Sequence, residues 1–373
     1  MTTVTSRPWE LLFPPLPPGT ETVTLNFRLL RKQGQPLLLV PPGGSLLAPS
    51  LSLYPAQSRK ARLARALAAF GLRARLPVLT EAVTISCERN HPFLRFLNPA
   101  STSPGKAVTH FTVFFCNPRP GGQRFILLTF DQHGQPTRVI KAGAGEGAAD
   151  VIQRELNFLR QLESAGLRGI PKVSASFDSP PVKAVALNYV SGVTPRAGEL
   201  PAAGEVLTPW LQPGGRMPLR NLNAWQQLGA ASTDPLVGRL EALLADTPFL
   251  PAIHHGDFAP WNIRLNRATG EWFVLDWERG EMSGPPGWDW FHLLIQPAIL
   301  VQNKTPDAIA REVEDFLNSG PFGRYARMAG IEKCAKPWLL AYLLHARDVV
   351  KPAEGRQATT ELLDLLRRSW LPG

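Results

Sequence analysis

The residues best suited to chemistry stand together at His255-Gly256-Asp257-Phe258-Ala259-Pro260-Trp261-Asn262, with the apolar run "FVLDWE" around Asp276 soon after. One loop thus offers a carboxylate and, five positions on, an amide. A second carboxylate follows fourteen positions later, inside a strand-like segment. Phosphoryl transfer asks for little more: a carboxylate near an incoming hydroxyl, and oxygen ligands that hold a cation against nucleotide phosphates. Magnesium is hard and octahedral, keeps several waters, and takes only one or two protein oxygens beside the phosphates. The plainer alternative is that both acids are turn and strand-end residues bonded to nearby backbone.

These residues resemble the H-G-D-x-x-x-x-N segment and following D-W/F of the aminoglycoside phosphotransferase and choline kinase-like superfamily. That superfamily is related in turn to the eukaryotic protein kinases with their H-R-D-x-x-x-x-N and D-F-G segments. The resemblance spans about residues 109–350. It implies Asp257 as catalytic base, Asn262 and Asp276 as metal ligands, and His255 as a brace for the loop. In "GPPGWDWFHLL" (284–294) it implies that Asp289 buttresses the same loop; an Asp at a helix start could also serve as its N-cap. Implied cofactors are ATP, or another nucleoside triphosphate, and Mg²⁺, bound between two lobes. The implied acceptor is a hydroxyl of a small molecule, such as a sugar or an amino-alcohol or aminoglycoside-like compound. No A-P-E-like segment follows Asp276, which argues against protein substrates.

Such a loop needs a second set of elements to hold the nucleotide. "HFTVFF" (110–115), "RFILLTF" (124–130) and "RVIKAG" (138–143) read as strands, and residues 147–166 as a helix with Val151, Leu156, Leu159 and Leu162 on one side. Lys141 at the end of the third strand resembles the kinase lysine that holds the α- and β-phosphates, and Glu155 on the helix is its expected partner. Glu146 lies nearer but in a Gly/Ala-rich connection. Gly121 and Gly122 occupy the hairpin loop expected over the phosphates. That loop, "NPRPGG", departs from G-x-G-x-x-G: two prolines stiffen it, and Arg119 or Arg124 could supply charge in place of backbone amides. Asn188 and Tyr189, in "LNYVSG", fall where backbone groups would meet the adenine edge.

Five tryptophans (Trp261, Trp272, Trp277, Trp288, Trp290) surround the central motif. Aromatic faces can stack on sugars or hold a quaternary ammonium, but at least three are expected to be packing residues. The acids Glu312, Glu314, Asp315, Glu361 and Asp364 alternate with bases and read as solvated helix faces. A polycation would call for a denser acidic pocket, so a neutral hydroxyl compound is favoured.

The charge is uneven. Of a net +10, residues 1–141 carry 17 Lys+Arg against 5 Asp+Glu, and the remainder 23 against 25. A basic surface can attract phosphates, acidic lipid or nucleic acid, or simply solubilise; no nucleic-acid motif accompanies it, so no nucleic-acid partner is expected. Residues 22–40 read as a hairpin turning at Gln33-Gly34-Gln35. Residues 58–76 read as a basic helix, with Ser58 as N-cap, Gly71 interrupting it, and Leu63, Leu67 and Phe70 at helical spacing. Such a helix docks by its apolar side or rests on an anionic membrane surface through residues 59–75. Cys87, Cys116 and Cys334 form no CxxC pair, which argues against a zinc site or disulfide framework and fits a cytoplasmic protein. No apolar run is long enough to span a bilayer, and the N-terminus does not read as a signal peptide.

The expected fold is α+β and bilobed, protein kinase-like. An N-terminal accessory α/β region (1–105) precedes a small antiparallel sheet with one helix (106–190) and a mainly helical lobe with the catalytic loop (191–373). The rival reading is a nucleotide-binding pseudokinase or regulatory scaffold without turnover, supported by the loose glycine loop.

Overall fold

The structure, a computed structural model, describes residues 7–16, 19–43, 46–53, 59–74, 80–98, 110–118, 121–212, 214–244, 246–350 and 355–371. The chain divides into two compact units, Met1–Val190 and Ser191–Gly373.

The first unit is built on β1 (Thr22–Lys32), β2 (Gln35–Val40), β3 (Glu81–Glu88), β4 (Phe111–Phe115), β5 (Gln123–Phe130), β6 (Pro136–Ala144), β7 (Val173–Ser179) and β8 (Val182–Asn188). Among the described residues these form one eight-stranded sheet, in the order β3-β1-β2-β4-β5-β6-β8-β7, with every pairing antiparallel. The β1–β2 turn places Gln33 and Gly34 at φ 52° and 77°, the left-handed pair a two-residue hairpin requires. The helices of this unit are α1 (Leu47–Ser52), α2 (Arg59–Arg73), α3 (Pro92–Leu97) and α4 (Glu146–Ser164).

The N-terminal region therefore does not stand apart. Its strands β1–β3 continue the sheet, and one core underlies the whole of it. Leu25, Phe27 and Leu29 of β1 and Val83 and Ile85 of β3 share that core with Phe111, Val113, Leu127, Ile140, Ala184 and Ala186. The alternation of side chains along each strand sends these residues to one face, where Phe13, Phe93 and Leu97 close the layer. On the opposite face α1 and α2 cover Leu30, Leu38 and Val40, and α4 packs on β6 and β8.

Two local readings change. Helix α2 runs through Gly71 to Arg73 without a break, with that glycine buried; a single interior glycine costs a helix only about 1 kcal/mol. Its stripe of large apolar residues faces outward: Leu63, Leu67 and Phe70 are 63%, 55% and 61% exposed, while Ala68, Ala69 and Leu72 pack inward. Ser58, read as the N-cap, lies outside the described residues.

The second unit is mainly helical, with α5 (Ala203–Leu207), α6 (Asn223–Ala231), α7 (Leu236–Leu244), α8 (Trp288–Leu300), α9 (Pro306–Leu317), α10 (Gly320–Ala329), α11 (Ala335–His345) and α12 (Arg356–Trp370). Helices α8 and α11 are apolar nearly all round and correspondingly buried at its centre. Helix α11 passes after His345 into a π-helical turn, Ala346–Val350. Four short strands, β9 (Ala252–His254), β10 (Ile263–Leu265), β11 (Trp272–Val274) and β12 (Glu281–Gly284), pair as β9/β12 and β10/β11. No described helix is long and apolar enough to cross a membrane.

Candidate active site

The loop carrying Asp257 leaves β9 and enters β10, so both of its ends are anchored in ladders. Its start is clamped by Asp289 in the first turn of α8. The buried carboxylate accepts from the His255 N–H at 2.7 Å and from the Gly256 N–H at 3.0 Å. The N-cap of α8 is Gly287, not Asp289, whose oxygens reach the loop instead. Gly256, at φ 78°, has no room for a side chain, since a Cβ would lie 3.0 Å from the Arg279 carbonyl oxygen.

His255 is fully buried and braces the loop from inside. Its Nδ1 accepts from the Asp257 N–H at 3.1 Å, and its Nε2 lies 2.8 Å from the Leu275 carbonyl. These partners require the hydrogen on Nε2. Burial also pushes the ring below its ordinary pKa, keeping it neutral. Trp277 stacks edge-on against it, with ring centroids 4.6 Å apart.

Asp257 is held at both oxygens. Asn262 Nδ2 donates to Oδ2 at 3.0 Å and to the Asp257 carbonyl at 2.9 Å; His292 Nε2 lies 3.0 Å from Oδ1. Burial, the largest influence on this carboxyl, would raise its pKa. The His292 hydrogen bond and the charges of His292 and Arg279 work the other way and prevail, holding it below the ordinary carboxylate range. Behind His292 the Tyr342 hydroxyl lies 3.1 Å from Nδ1. Burial raises the Tyr342 phenol, so it stays protonated. A carboxylate can only accept, so His292 Nε2–H donates to Asp257.

Neither His292 nor Tyr342 was singled out from the sequence. A signal existed for His292: it falls three residues after Asp289 in an otherwise apolar helix, and that spacing puts both on one face. Tyr342 comes from α11, fifty positions away, and carried none.

The β10/β11 hairpin brings the Asn262 backbone beside Leu275, the residue before Asp276. Ile263 pairs with Val274, and the Leu275 N–H donates to the Asn262 carbonyl at 2.7 Å. Asp276 follows directly, at φ 67°, a left-handed conformation that Asp tolerates better than most residues. Because the Asn262 amide gives its nitrogen to Asp257, its oxygen turns away from the base. An amide oxygen and a carboxylate are the oxygen types that Mg²⁺ takes beside water and phosphate. Among the described residues no group of three or more His, Cys, Asp or Glu is arranged to hold a metal.

Asp257 opens on a cavity of about 540 Å³ within the second unit. Its walls include Trp261, Trp288, His254, Tyr342 and His345, with Leu300 and the π-helical Val349 and Val350 on the apolar side. A π turn is rare and tends to occur beside functional sites. The cavity's acids are Asp257 and Glu281, set against Arg279; His345, pushed down to about 4 by burial, is uncharged at neutral pH. Of the five clustered tryptophans, Trp277, Trp288 and Trp290 are buried packing residues, and Trp261 and Trp288 face the cavity.

In the first unit Lys141 Nζ donates to both oxygens of Glu155, at 2.6 and 2.8 Å, with Glu155 fully buried. Strand β6 alternates, so Ile140 and Ala142 enter the core while Lys141 turns to the face that α4 covers. Removing one member of a buried pair typically costs about 3–5 kcal/mol, so this geometry is tightly specified. Glu146 begins α4 and takes no part in it.

Gly121 and Gly122 press on the start of α4. The Gly121 carbonyl accepts from the Ala148 N–H at 3.3 Å, and a Cβ on Gly122 would lie 2.3 Å from the Ala144 oxygen. Close backbone approach accounts for both glycines. Arg119 lies outside the described residues. Asn188 and Tyr189 have committed their N–H groups to the carbonyls of Lys172 and Thr137, both at 3.0 Å. Both N–H groups are thus engaged within the first unit.

No family model matches the chain, and no curated protein matches it by sequence. It is similar to solved structures of small-molecule kinases and phosphotransferases. A choline kinase from Cryptosporidium parvum Iowa II is 10% identical, with a TM-score of 0.45, over 74% of this chain and 92% of that one. An ethanolamine kinase from Plasmodium vivax is 10% identical, with a TM-score of 0.44, over 75% of this chain and 87% of that one. An aminoglycoside phosphotransferase from Streptomyces rimosus, solved with ADP and streptomycin, is 13% identical, with a TM-score of 0.39, over 59% of this chain and 90% of that one.

Proposed function

We propose that the protein is a nucleotide-dependent small-molecule kinase that moves the γ-phosphoryl group of ATP, or of another nucleoside triphosphate, to a hydroxyl. One observation carries this reading: Asp257, held by Asn262 and His292, stands at the wall of a cavity sized for a small molecule.

In this reading the acceptor lies in the cavity with its hydroxyl against Asp257. Its oxygen forms a bond to the γ-phosphorus as the bond to the β-phosphate oxygen breaks, and its proton passes to the Asp257 carboxylate. Asn262 and His292 keep that carboxylate in one orientation, and Asp289 and His255 hold the loop beneath it. In the first unit Lys141, oriented by Glu155, neutralises phosphate oxygens. Asn262 and Asp276 would hold Mg²⁺, which when bound offsets the negative charge on the transferring phosphate. His292 is a positioning residue acting through Asp257. His292→Phe should lower kcat about 10- to 100-fold with the KM for nucleotide nearly unchanged, and His292→Gln should recover part of it, as steady-state kinetics will show. A role in stability alone would predict a lowered melting temperature and an unchanged kcat in the folded fraction.

The balance of charge in the cavity favours a neutral hydroxyl compound over a polycation. The test is Mg·ATP consumption across a panel of sugars, amino-alcohols and aminoglycosides, with Asp257→Ala as control. Turnover with a neutral member, absent in the variant, is the expected result. Thermal stabilisation by Mg·ATP without turnover on any member would instead favour the regulatory scaffold.

A further inference from the structure

Helix α2 inverts the usual arrangement of a surface helix, in which large apolar side chains pack inward and charges face water. Its inward side is made of Ala68, Ala69 and Leu72, against Leu30, Leu38 and Val40 of the sheet. Leu63, Leu67 and Phe70 stand outward, each more than half exposed. They occur at i, i+4 and i+7, so they form one ridge of about 10 Å along the helix axis. Nothing in the packing of the sheet demands large apolar residues at those positions.

The charge of the same helix says what would cover the ridge. Over Arg59–Arg73 it carries five basic residues, Arg59, Lys60, Arg62, Arg65 and Arg73, and no acid. By helical register Arg59 and Lys60 precede Leu63 by four and three residues, and Arg73 follows Phe70 by three. In sequence, cations thus flank the three apolar residues on both sides. We propose that α2 is a lipid-docking helix that seats the protein on an anionic bilayer surface. Leu63, Leu67 and Phe70 enter the boundary between headgroups and acyl chains, and the flanking Arg and Lys residues reach anionic headgroups. A second copy of the chain is a poor occupant, because two such helices would set cation against cation with no acid between them. One short helix gives reversible attachment, not insertion. The proposal is independent of the catalytic reading.

The test is flotation of the full chain with vesicles of phosphatidylcholine alone and of phosphatidylcholine with about one third phosphatidylserine. The protein should float with the second and stay behind with the first. The triple variant Leu63→Ser/Leu67→Ser/Phe70→Ser should reduce the floated fraction at least about fivefold, and Lys60→Glu/Arg62→Glu should do the same. Both should keep the parent's circular dichroism spectrum, because the first set already faces solvent and the second changes charge only. Failure to float with the anionic vesicles would overturn the proposal, as would binding that both variants retain. If the parent instead shows a concentration-dependent mass in solution that the triple variant abolishes, the ridge is a protein interface and the lipid assignment is wrong.

Discussion

Asp257→Asn should reduce turnover about 10²- to 10⁴-fold, the range typical for loss of a general base, and leave nucleotide affinity within about twofold. The substitution isolates proton acceptance because the surrounding bonds can survive it. An amide oxygen at this position can still accept from Asn262 Nδ2, which lies 3.0 Å away. The amide nitrogen can donate to His292 Nε2, now 3.0 Å from Oδ1, if that ring moves its hydrogen to Nδ1 and donates to the Tyr342 oxygen. The loop backbone stays clamped by Asp289 and His255, neither of which touches the substituted atom. Single-turnover kinetics for the chemical step and calorimetry for Mg·ATP binding provide the two readouts. A variant that retained turnover within about threefold of the parent would remove Asp257 from the role of base.

Asp276→Asn should weaken Mg·ATP binding by about 100-fold and leave the weaker, metal-free binding of ATP unchanged. The choice of Asn matters. Asp276 sits at φ 67°, where Ala pays for its Cβ and Asn, like Asp, is tolerated. Asp276→Ala therefore mixes loss of a ligand with backbone strain, whereas Asp276→Asn removes the charge alone. Calorimetric titrations with ATP in the presence of magnesium and in the presence of a chelator separate the two terms. Equal losses with and without magnesium would mean that Asp276 shapes the loop and holds no metal.

The arrangement of the central loop was legible because its spacing is local. Asp257 and Asn262 lie on one loop, and a β-hairpin brings Asp276 to the end of the same short ladder. Short-range spacing decides that juxtaposition. The pairing of Lys141 with Glu155 was legible for a similar reason, since strand alternation and helix periodicity together allow few orientations.

Periodicity, turn residues and the spacing of a few polar side chains determined β1, β2, β4, β5, β6 and α4 of the first unit and the make-up of the Asp257 loop, because each depends on contacts within some twenty positions. Tertiary structure alone decided the rest. It merged β1–β3 into one sheet with β4–β8, since strand pairing is satisfied by any edge with matching faces. It drew Tyr342 behind His292 and Asp257 from fifty positions away. It also turned the apolar ridge of α2 outward, because the small side chains Ala68 and Ala69 allow closer approach to the sheet than the large ones would.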